Sequence, residues 1–198
     1  MLAVIVALTA PALAADPLVD LRKAVPGVVL DVRYATSRNF MGRVVYPEAA
    51  AFLRRSTAVK LARAAEVLRE RGRRLVIYDA YRPLSVQRAL WAAKPDRRFV
   101  ADPARRGSVH NRGGAVDVGL ADADGKPIEM PTDFDEFGPR AAHGAKGVAP
   151  RAAAAAAELK AAMEAAGFQS LPEEWWHYQD PAAKDWPLLD IPLQELEK

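Results

Sequence analysis

The chain has 198 residues, of which 51% are hydrophobic and 27% are charged, and its formal net charge is +3. This length fits one domain with a sizeable core, and the composition is that of an ordinary globular protein rather than a disordered one. The basic residues are scattered among carboxylates and the chain has no cysteine, so the sequence argues against a nucleic-acid binder and excludes disulfides, thiolate metal sites and a cysteine nucleophile.

The N-terminal segment Met1–Ala15 is a short apolar run that ends in the small-x-small sequence Ala-Leu-Ala at residues 12–14. It is too short to cross a membrane as a helix and is typical of a secretory signal peptide cleaved after Ala14. No Lys or Arg precedes the apolar run, and the alternative is a buried N-terminal helix. We expect residues 1–14 to be a signal peptide and residues 15–198 to form a periplasmic or secreted domain with no stable membrane insertion.

Hydrophobic periodicity and helix-ending residues predict four strands and three helices. In chain order they are a strand at Pro26–Tyr34, a helix at Thr57–Arg71 with Ser56 as its N-cap, a strand at Arg74–Asp79, a helix at Leu84–Ala93, and then a strand at Ala115–Leu120, a helix at Arg151–Ala166 and a strand at Glu174–Gln179. This order favours a single-domain α+β fold with a small, mostly antiparallel sheet flanked by helices. Residues 121–150 are rich in Gly, Pro and Asp, and a loop of this length is often functional.

Two of the three histidines lie near other potential metal ligands. His110 precedes two adjacent glycines and then Asp117, whose side chain should point away from the apolar face of its strand. His177 ends the segment Glu-Glu-Trp-Trp-His. Two imidazoles and one carboxylate are a usual ligand set for catalytic zinc and leave a fourth position for water. The alternative is that these are ordinary surface histidines, as we expect for His143 in the polar loop.

Two further residues are candidates for catalysis. Glu174 lies three residues before His177 and could act as a general base. Residues three apart on a regular strand face opposite sides, so both can reach one metal only if the chain bends, bulges or turns. Arg82 follows an apolar strand, where a guanidinium could bind a substrate carboxylate or stabilise an oxyanion. The alternative is a structural ion pair between Arg82 and Asp79.

Together these segments resemble the VanX-type D-Ala-D-Ala dipeptidases, a branch of the zinc D,D-peptidases. The matching pieces are Tyr34-Ala35-Thr36 with Asn39-Phe40 and Gly42, Asp79 with Tyr81-Arg82-Pro83, Ser108 with His110, Arg112-Gly113 and Asp117, then Phe134-Asp135, and Glu174-Trp175-Trp176-His177-Tyr178. Each piece is short, but their order and spacing match together.

The resemblance implies a hydrolase with one zinc ion per chain, held by His110, Asp117 and His177. It further implies that Glu174 is the general base and acid and that Arg82 stabilises the tetrahedral intermediate.

For the substrate, D-alanyl-D-alanine, the resemblance implies that Tyr34, Asp117 and Asp135 lie near the free amino group and that Ser108 is a contact. A buried carboxylate such as Asp135 would pair with the ammonium of a free dipeptide and would be left unpaired by a longer peptide.

Two alternatives remain open on the sequence. One is a zinc D,D-carboxypeptidase that trims longer peptidoglycan peptides, and the other is a wall-binding relative without turnover. The best-known members of the branch act in the cytoplasm in glycopeptide resistance. With a signal peptide, a role in scavenging or recycling wall dipeptides is expected instead.

Overall fold

The computed structural model describes residues 16–196. The predicted signal peptide, residues 1–14, lies outside the described residues and stays a prediction. The helices and strands in chain order are β1 (Leu18–Asp20), α1 (Leu21–Ala24), β2 (Val29–Leu30), β3 (Phe52–Arg54), α2 (Arg55–Glu70), β4 (Arg73–Asp79), α3 (Leu84–Ala93), β5 (Ala115–Asp122), α4 (Pro150–Ala165), β6 (Gln169–Leu171), β7 (Glu174–Gln179) and α5 (Leu193–Leu196). Within residues 16–196, no helix combines the length and the apolar character that crossing a membrane would require.

A five-stranded sheet forms the centre of the molecule, with the strand order β2-β4-β5-β7-β6. β2 and β4 are parallel, whereas β4–β5, β5–β7 and β7–β6 are antiparallel. A separate antiparallel ribbon pairs β1 with β3. The predicted α+β class with a small, mostly antiparallel sheet is therefore confirmed.

Helices α2 and α4 pack against each other and against the sheet. On α2 the buried residues Ala58, Leu61, Ala65 and Leu68 recur at intervals of three and four, which is the spacing of one helical face. The buried face of α4 consists mostly of alanines, with Leu159 and Met163 among them. Strand β5 is buried along nearly its whole length because it is the middle strand of the sheet and is covered on both faces.

The observed elements differ from the predicted ones at several ends. Helix α2 begins at Arg55, and the prediction of Ser56 as its N-cap is wrong. Instead, the Asp16 carboxylate accepts hydrogen bonds from the Ser56 backbone N–H (3.0 Å) and hydroxyl (2.6 Å). The predicted strand at Pro26–Tyr34 shrinks to β2 because the chain turns into a 3-10 helix at Arg33–Ala35. The Tyr34 ring packs against the rings of Phe40, Tyr46 and Phe134.

Candidate active site

The three predicted metal ligands meet on one face of the sheet. Asp117 on β5 and His177 on β7 are direct cross-strand partners, so their side chains project from the same face. His110 comes from a 3-10 helix immediately before β5, at His110–Arg112. All three side chains are buried. Among the described residues they are the one group of histidine and acidic side chains whose ligand atoms converge closely enough to hold a metal ion.

The three donor atoms form a nearly equilateral triangle. His110 Nε2 lies 3.2 Å from His177 Nδ1 and 3.4 Å from Asp117 Oδ1, and His177 Nδ1 lies 3.0 Å from Asp117 Oδ1. In a tetrahedral zinc site with bonds of 2.0–2.1 Å, neighbouring ligand atoms are about 3.3 Å apart. The triangle therefore has the size of one face of a zinc tetrahedron, and the fourth corner is left for a non-protein ligand.

The hydrogen bonding of His110 leaves the correct nitrogen free for a metal. Its Nδ1 lies 2.7 Å from the Ala80 carbonyl oxygen, which can only accept, so the proton is on Nδ1 and the lone pair on Nε2. Metal-bound histidines commonly donate their second N–H to a carbonyl in this way. Burial alone would lower the pKa of His110, but the charge and hydrogen bond of Asp117 together with the charge of Asp79 raise that pKa.

Asp117 is held in its charged form. Burial alone would raise its pKa, yet the neighbouring imidazoles His110 and His177 hold the pKa well below its usual range. An ionised carboxylate buried between two imidazoles needs positive charge nearby. A divalent cation meets that need, so both the chemistry and the spacing of this donor set fit zinc.

Strand β7 contains the bulge that Glu174 and His177 need if both side chains are to reach the same site. Ser170 of β6 pairs with Tyr178 of β7, but the next residue of β6, Leu171, pairs with Glu174. Residues 175–177 of β7 therefore lie between two consecutive pairs and form a bulge. Because of this bulge, Glu174 and His177 line the same cavity although they are three residues apart. Burial raises the pKa of the Glu174 carboxyl to about 7.

Arg82 makes the predicted ion pair and also lines this cavity. Its Nε and Nη2 donate to Asp79 Oδ2 at 3.0 and 2.5 Å, and its Nη1 donates to Gln87 Oε1 at 2.8 Å. Asp79 is itself fixed by the Tyr46 hydroxyl at 2.7 Å. These bonds use three of the five guanidinium N–H groups. The two interpretations of Arg82 are therefore compatible, because the guanidinium that pairs with Asp79 also lines the cavity.

The predicted substrate contacts lie in the same place. Asp135 is buried, its Oδ2 accepts a hydrogen bond from the Phe40 backbone N–H (3.4 Å), and burial together with the charge of Asp117 raises its pKa to about 7. Ser108 Oγ accepts from the His110 backbone N–H at 3.2 Å. The structure thus brings all eight predicted site residues to one cavity of about 210 Å³, hereafter the main cavity: Tyr34, Arg82, Ser108, His110, Asp117, Asp135, Glu174 and His177.

Several lining residues were missed by the sequence reasoning. Arg97, Arg98 and Phe99 come from the charged loop after α3, and Phe137 comes from the long loop after β5. These four also line a neighbouring space of about 570 Å³, hereafter the outer cavity, which shares Glu174 with the main cavity. The sequence identifies this loop as charged, but it contains no motif that places these side chains in the site.

His143 is not one of the residues that line the main cavity. It is partly buried rather than exposed, and it borders a small separate space beside Lys160. Its ring packs edge-on against Tyr178 at 6.0 Å between ring centroids. The prediction that His143 is exposed is therefore wrong, and the reason is that α4 covers the loop from one side.

Comparisons with known proteins give a consistent result. A family model described as peptidase M15, D-Ala-D-Ala dipeptidase, matches residues 14–195. A D-alanyl-D-alanine dipeptidase of Escherichia coli K12 is 37% identical over 172 residues, which cover 87% of this chain and 89% of the relative. Enzymes of the same name from Enterococcus faecium and Enterococcus faecalis are 30% and 32% identical, with 80% and 77% of this chain and 88% and 86% of the relatives covered. The chain therefore belongs to the peptidase M15 family, in the group described as D-Ala-D-Ala dipeptidases.

Proposed function

We propose that this chain hydrolyses D-alanyl-D-alanine to two molecules of D-alanine, with one zinc ion held by His110, Asp117 and His177. The observation that carries the proposal is the triangle of donor atoms, with edges of 3.0–3.4 Å, in a cavity that also holds two protonatable carboxyl groups. The names of the family and of its relatives supply the substrate.

A bound zinc ion supplies Lewis acidity, which polarises the peptide carbonyl and makes a water molecule easier to deprotonate. Glu174 accepts a proton from the attacking water as the new C–O bond forms. It then passes that proton to the leaving amine as the C–N bond breaks. In the metal-free site burial raises the pKa of the Glu174 carboxyl, and a more basic carboxylate is better suited to take the proton from water. The positive charge of Arg82, which lines the same cavity, stabilises the negative charge that develops on the carbonyl oxygen.

Asp135 and Tyr34 would receive the free amino group of the dipeptide. An ammonium beside Asp135 provides the positive charge that a buried carboxylate lacks, which favours its ionised form. A peptide acylated at this nitrogen brings no charge and leaves the carboxylate unpaired, at a cost on the order of 1–3 kcal/mol. This difference makes the site a dipeptidase rather than an enzyme for longer peptides.

A second candidate is a zinc D,D-carboxypeptidase that acts on longer wall peptides. The outer cavity favours it, because a space of about 570 Å³ next to Glu174 is larger than a dipeptide requires. The experiment compares D-Ala-D-Ala with its N-acetylated form, with and without a chelator, on protein of measured zinc content. Chelator-sensitive hydrolysis of the free dipeptide alone supports the dipeptidase. Hydrolysis of both forms supports the carboxypeptidase, and hydrolysis of neither by zinc-loaded protein supports a binding module.

We also propose that residues 1–14 direct export and that the enzyme acts on wall dipeptides outside the cytoplasm. The support is the apolar run ending in Ala-Leu-Ala. Fractionation of cells that produce the full chain, followed by N-terminal sequencing, tests this. A periplasmic or secreted protein that begins at Ala15 supports export, and a cytoplasmic protein that retains Met1 contradicts it.

A further inference from the structure

Arg33 connects two parts of the chain that both contribute to the main cavity. Its Nε donates to Asp31 Oδ2 at 2.8 Å, and its Nη1 donates to Asp133 Oδ1 at 2.9 Å, across 100 residues of sequence. Arg33 immediately precedes Tyr34, and Asp133 lies two residues before Asp135. The guanidinium is buried and is not among the residues that line the cavity. Arg33 therefore links the chain segments that carry Tyr34 and Asp135, the two proposed ammonium contacts, without lining the cavity itself.

The same guanidinium fixes the backbone between Asp133 and Asp135. The Asp133 Oδ1 atom that binds Arg33 also accepts a hydrogen bond from the Phe134 backbone N–H at 2.9 Å. The Arg33 guanidinium lies over the ring of Tyr78, 4.8 Å from its centroid, and the centroid of Tyr78 is 5.3 Å from that of Phe134. Arg33 thus supports this segment both through an ion pair and through a stack of two rings.

Asp135 needs such support because its backbone is in the left-handed region, with φ of 63°. Among the described residues it is the one non-glycine residue with positive φ. A conformation of this kind costs on the order of 1–3 kcal/mol and persists where the surrounding structure determines it. The Asp135 carboxylate accepts a hydrogen bond from the Phe40 backbone N–H at 3.4 Å and forms one with the Tyr34 side chain, and its backbone carbonyl accepts from the Phe137 N–H at 2.9 Å. The ion pair of Arg33 adds to these contacts by holding the residues before Asp135.

We propose that Arg33 is a positioning residue that sets the place of the Asp135 carboxylate and thereby determines the preference for a free amino terminus. The proposal rests on the proposed function, because it takes Asp135 as the ammonium contact. Arg33 does not touch the substrate and acts only through the Asp133–Asp135 segment. Its loss would allow that segment to relax and would move Asp135 away from the ammonium.

Arg33→Gln tests this, with Arg38→Gln as the matched control. Arg38 binds the same partner, Asp31, at 2.5 Å, and its side chain is 58% exposed.

The Arg33→Gln variant should raise KM for D-Ala-D-Ala about tenfold with a smaller change in kcat, and a tenfold factor corresponds to about 1.4 kcal/mol. The ratio of activity on free to N-acetylated dipeptide should fall by a similar factor. Arg33→Lys should restore part of both, because an ammonium reaches one carboxylate but cannot span two as the fork of arginine does.

Asp133→Asn breaks the same ion pair from its exposed end and leaves Arg33 paired with Asp31, so it remains informative if Arg33→Gln fails to fold. It should give the same loss of selectivity, and the double variant should add little to either single one. A kcat loss in both variants with KM and the selectivity ratio unchanged would overturn the positioning role. If the wild-type enzyme cleaves the free and the N-acetylated dipeptide equally, the proposed function is wrong, and the inference with it. If the wild type prefers the free dipeptide and both variants keep that preference, only the inference is wrong.

Discussion

Asp117 and His177 lie directly opposite each other on neighbouring strands, with Asp117 Oδ1 3.0 Å from His177 Nδ1. The backbone pairing of β5 with β7 therefore fixes two corners of the donor triangle. The third corner, His110, is fixed by the Ala80 carbonyl at the end of β4. Because all three ligands are held by neighbouring strands or by the turn that leads into one of them, the site is preformed and metal binding requires little rearrangement.

Replacing a predicted zinc ligand should remove the metal. Asp117→Asn or His110→Ala should lower bound zinc from about one ion per chain to a small fraction of that, because a structural or catalytic zinc needs at least three protein ligands. His143→Ala is the control, since His143 borders a separate space. Metal analysis after dialysis measures the outcome. In the wild type, added zinc should also raise Tm, because a ligand that binds only the folded state stabilises it. Full zinc retention by Asp117→Asn contradicts the assigned site.

Replacing Glu174 should separate catalysis from metal binding. Glu174→Gln keeps the shape of the side chain but cannot accept a proton, so kcat should fall by about 10²–10⁴-fold while zinc content is unchanged. Glu173→Gln is the matched control, because Glu173 is exposed and adjacent in sequence. Steady-state kinetics on zinc-quantified protein measure both. If the Glu174 variant retains more than half of the wild-type kcat, another group must be the base.

Asp135 should make the metal-free protein less stable as pH rises. Its folded pKa of about 7 is above the usual value of 3.8, so the folded state binds the proton more tightly than the unfolded state does. The stability it contributes is fully present below about pH 4 and is lost as pH rises through 7, by up to about 4 kcal/mol. Asp135→Asn should reduce this dependence, and the part that remains is that of Glu174, whose pKa burial also raises to about 7. Urea unfolding of chelator-treated protein between pH 4 and 8 measures it.

The control for the Asp135 measurement is Asp124→Asn, which changes an exposed carboxylate on the same long loop. It should leave the pH dependence of the wild type intact. A wild-type stability that rises between pH 4 and 7, with no difference in the Asp135 variant, would mean that this carboxyl group is ionised in the folded protein.

Replacing Asp79 should lower the free energy of unfolding as well as the activity. Its side chain is fully buried and binds Arg82 through two N–H groups, so Asp79→Asn leaves a buried guanidinium without its counter-charge. Breaking a buried ion pair in this way costs about 3–5 kcal/mol. Tyr46→Phe removes one hydrogen bond from the same carboxylate and should cost only about 1 kcal/mol. Urea denaturation compares them, and equal effects of the two variants would contradict the importance of the ion pair.

The sequence predicted much of this arrangement. The bounds of α3 and β7 agree with the prediction, because Pro83 and Pro95 flank α3 and a run of aromatic residues lies within β7. The three-residue strands β1, β3 and β6 were not predicted, since periodicity cannot be recognised over so short a run. The bulge in β7 was required by the spacing of Glu174 and His177, but only the pairing with β6 shows where it lies.

Contacts between distant parts of the chain were beyond sequence reasoning. Nothing local indicates that Asp16 rather than Ser56 caps α2, or that Arg33 reaches Asp133 across 100 residues. The long loop at residues 121–150 was predicted as functional from its length. Its left-handed residue at Asp135 could not be predicted, because aspartate is one of the residues that can adopt this conformation but nothing in the local sequence distinguishes Asp135 from the other aspartates of the loop.

The metal ligands and the proposed ammonium contact come from different kinds of structure. His110, Asp117 and His177 are held by the sheet and the turn before it, whereas Asp135 is carried by the loop between β5 and α4. Loops tolerate insertions and substitutions that a buried central strand does not. On the proposed assignment, a change in this one loop would therefore alter which peptides the site accepts and would leave the three donor atoms in place.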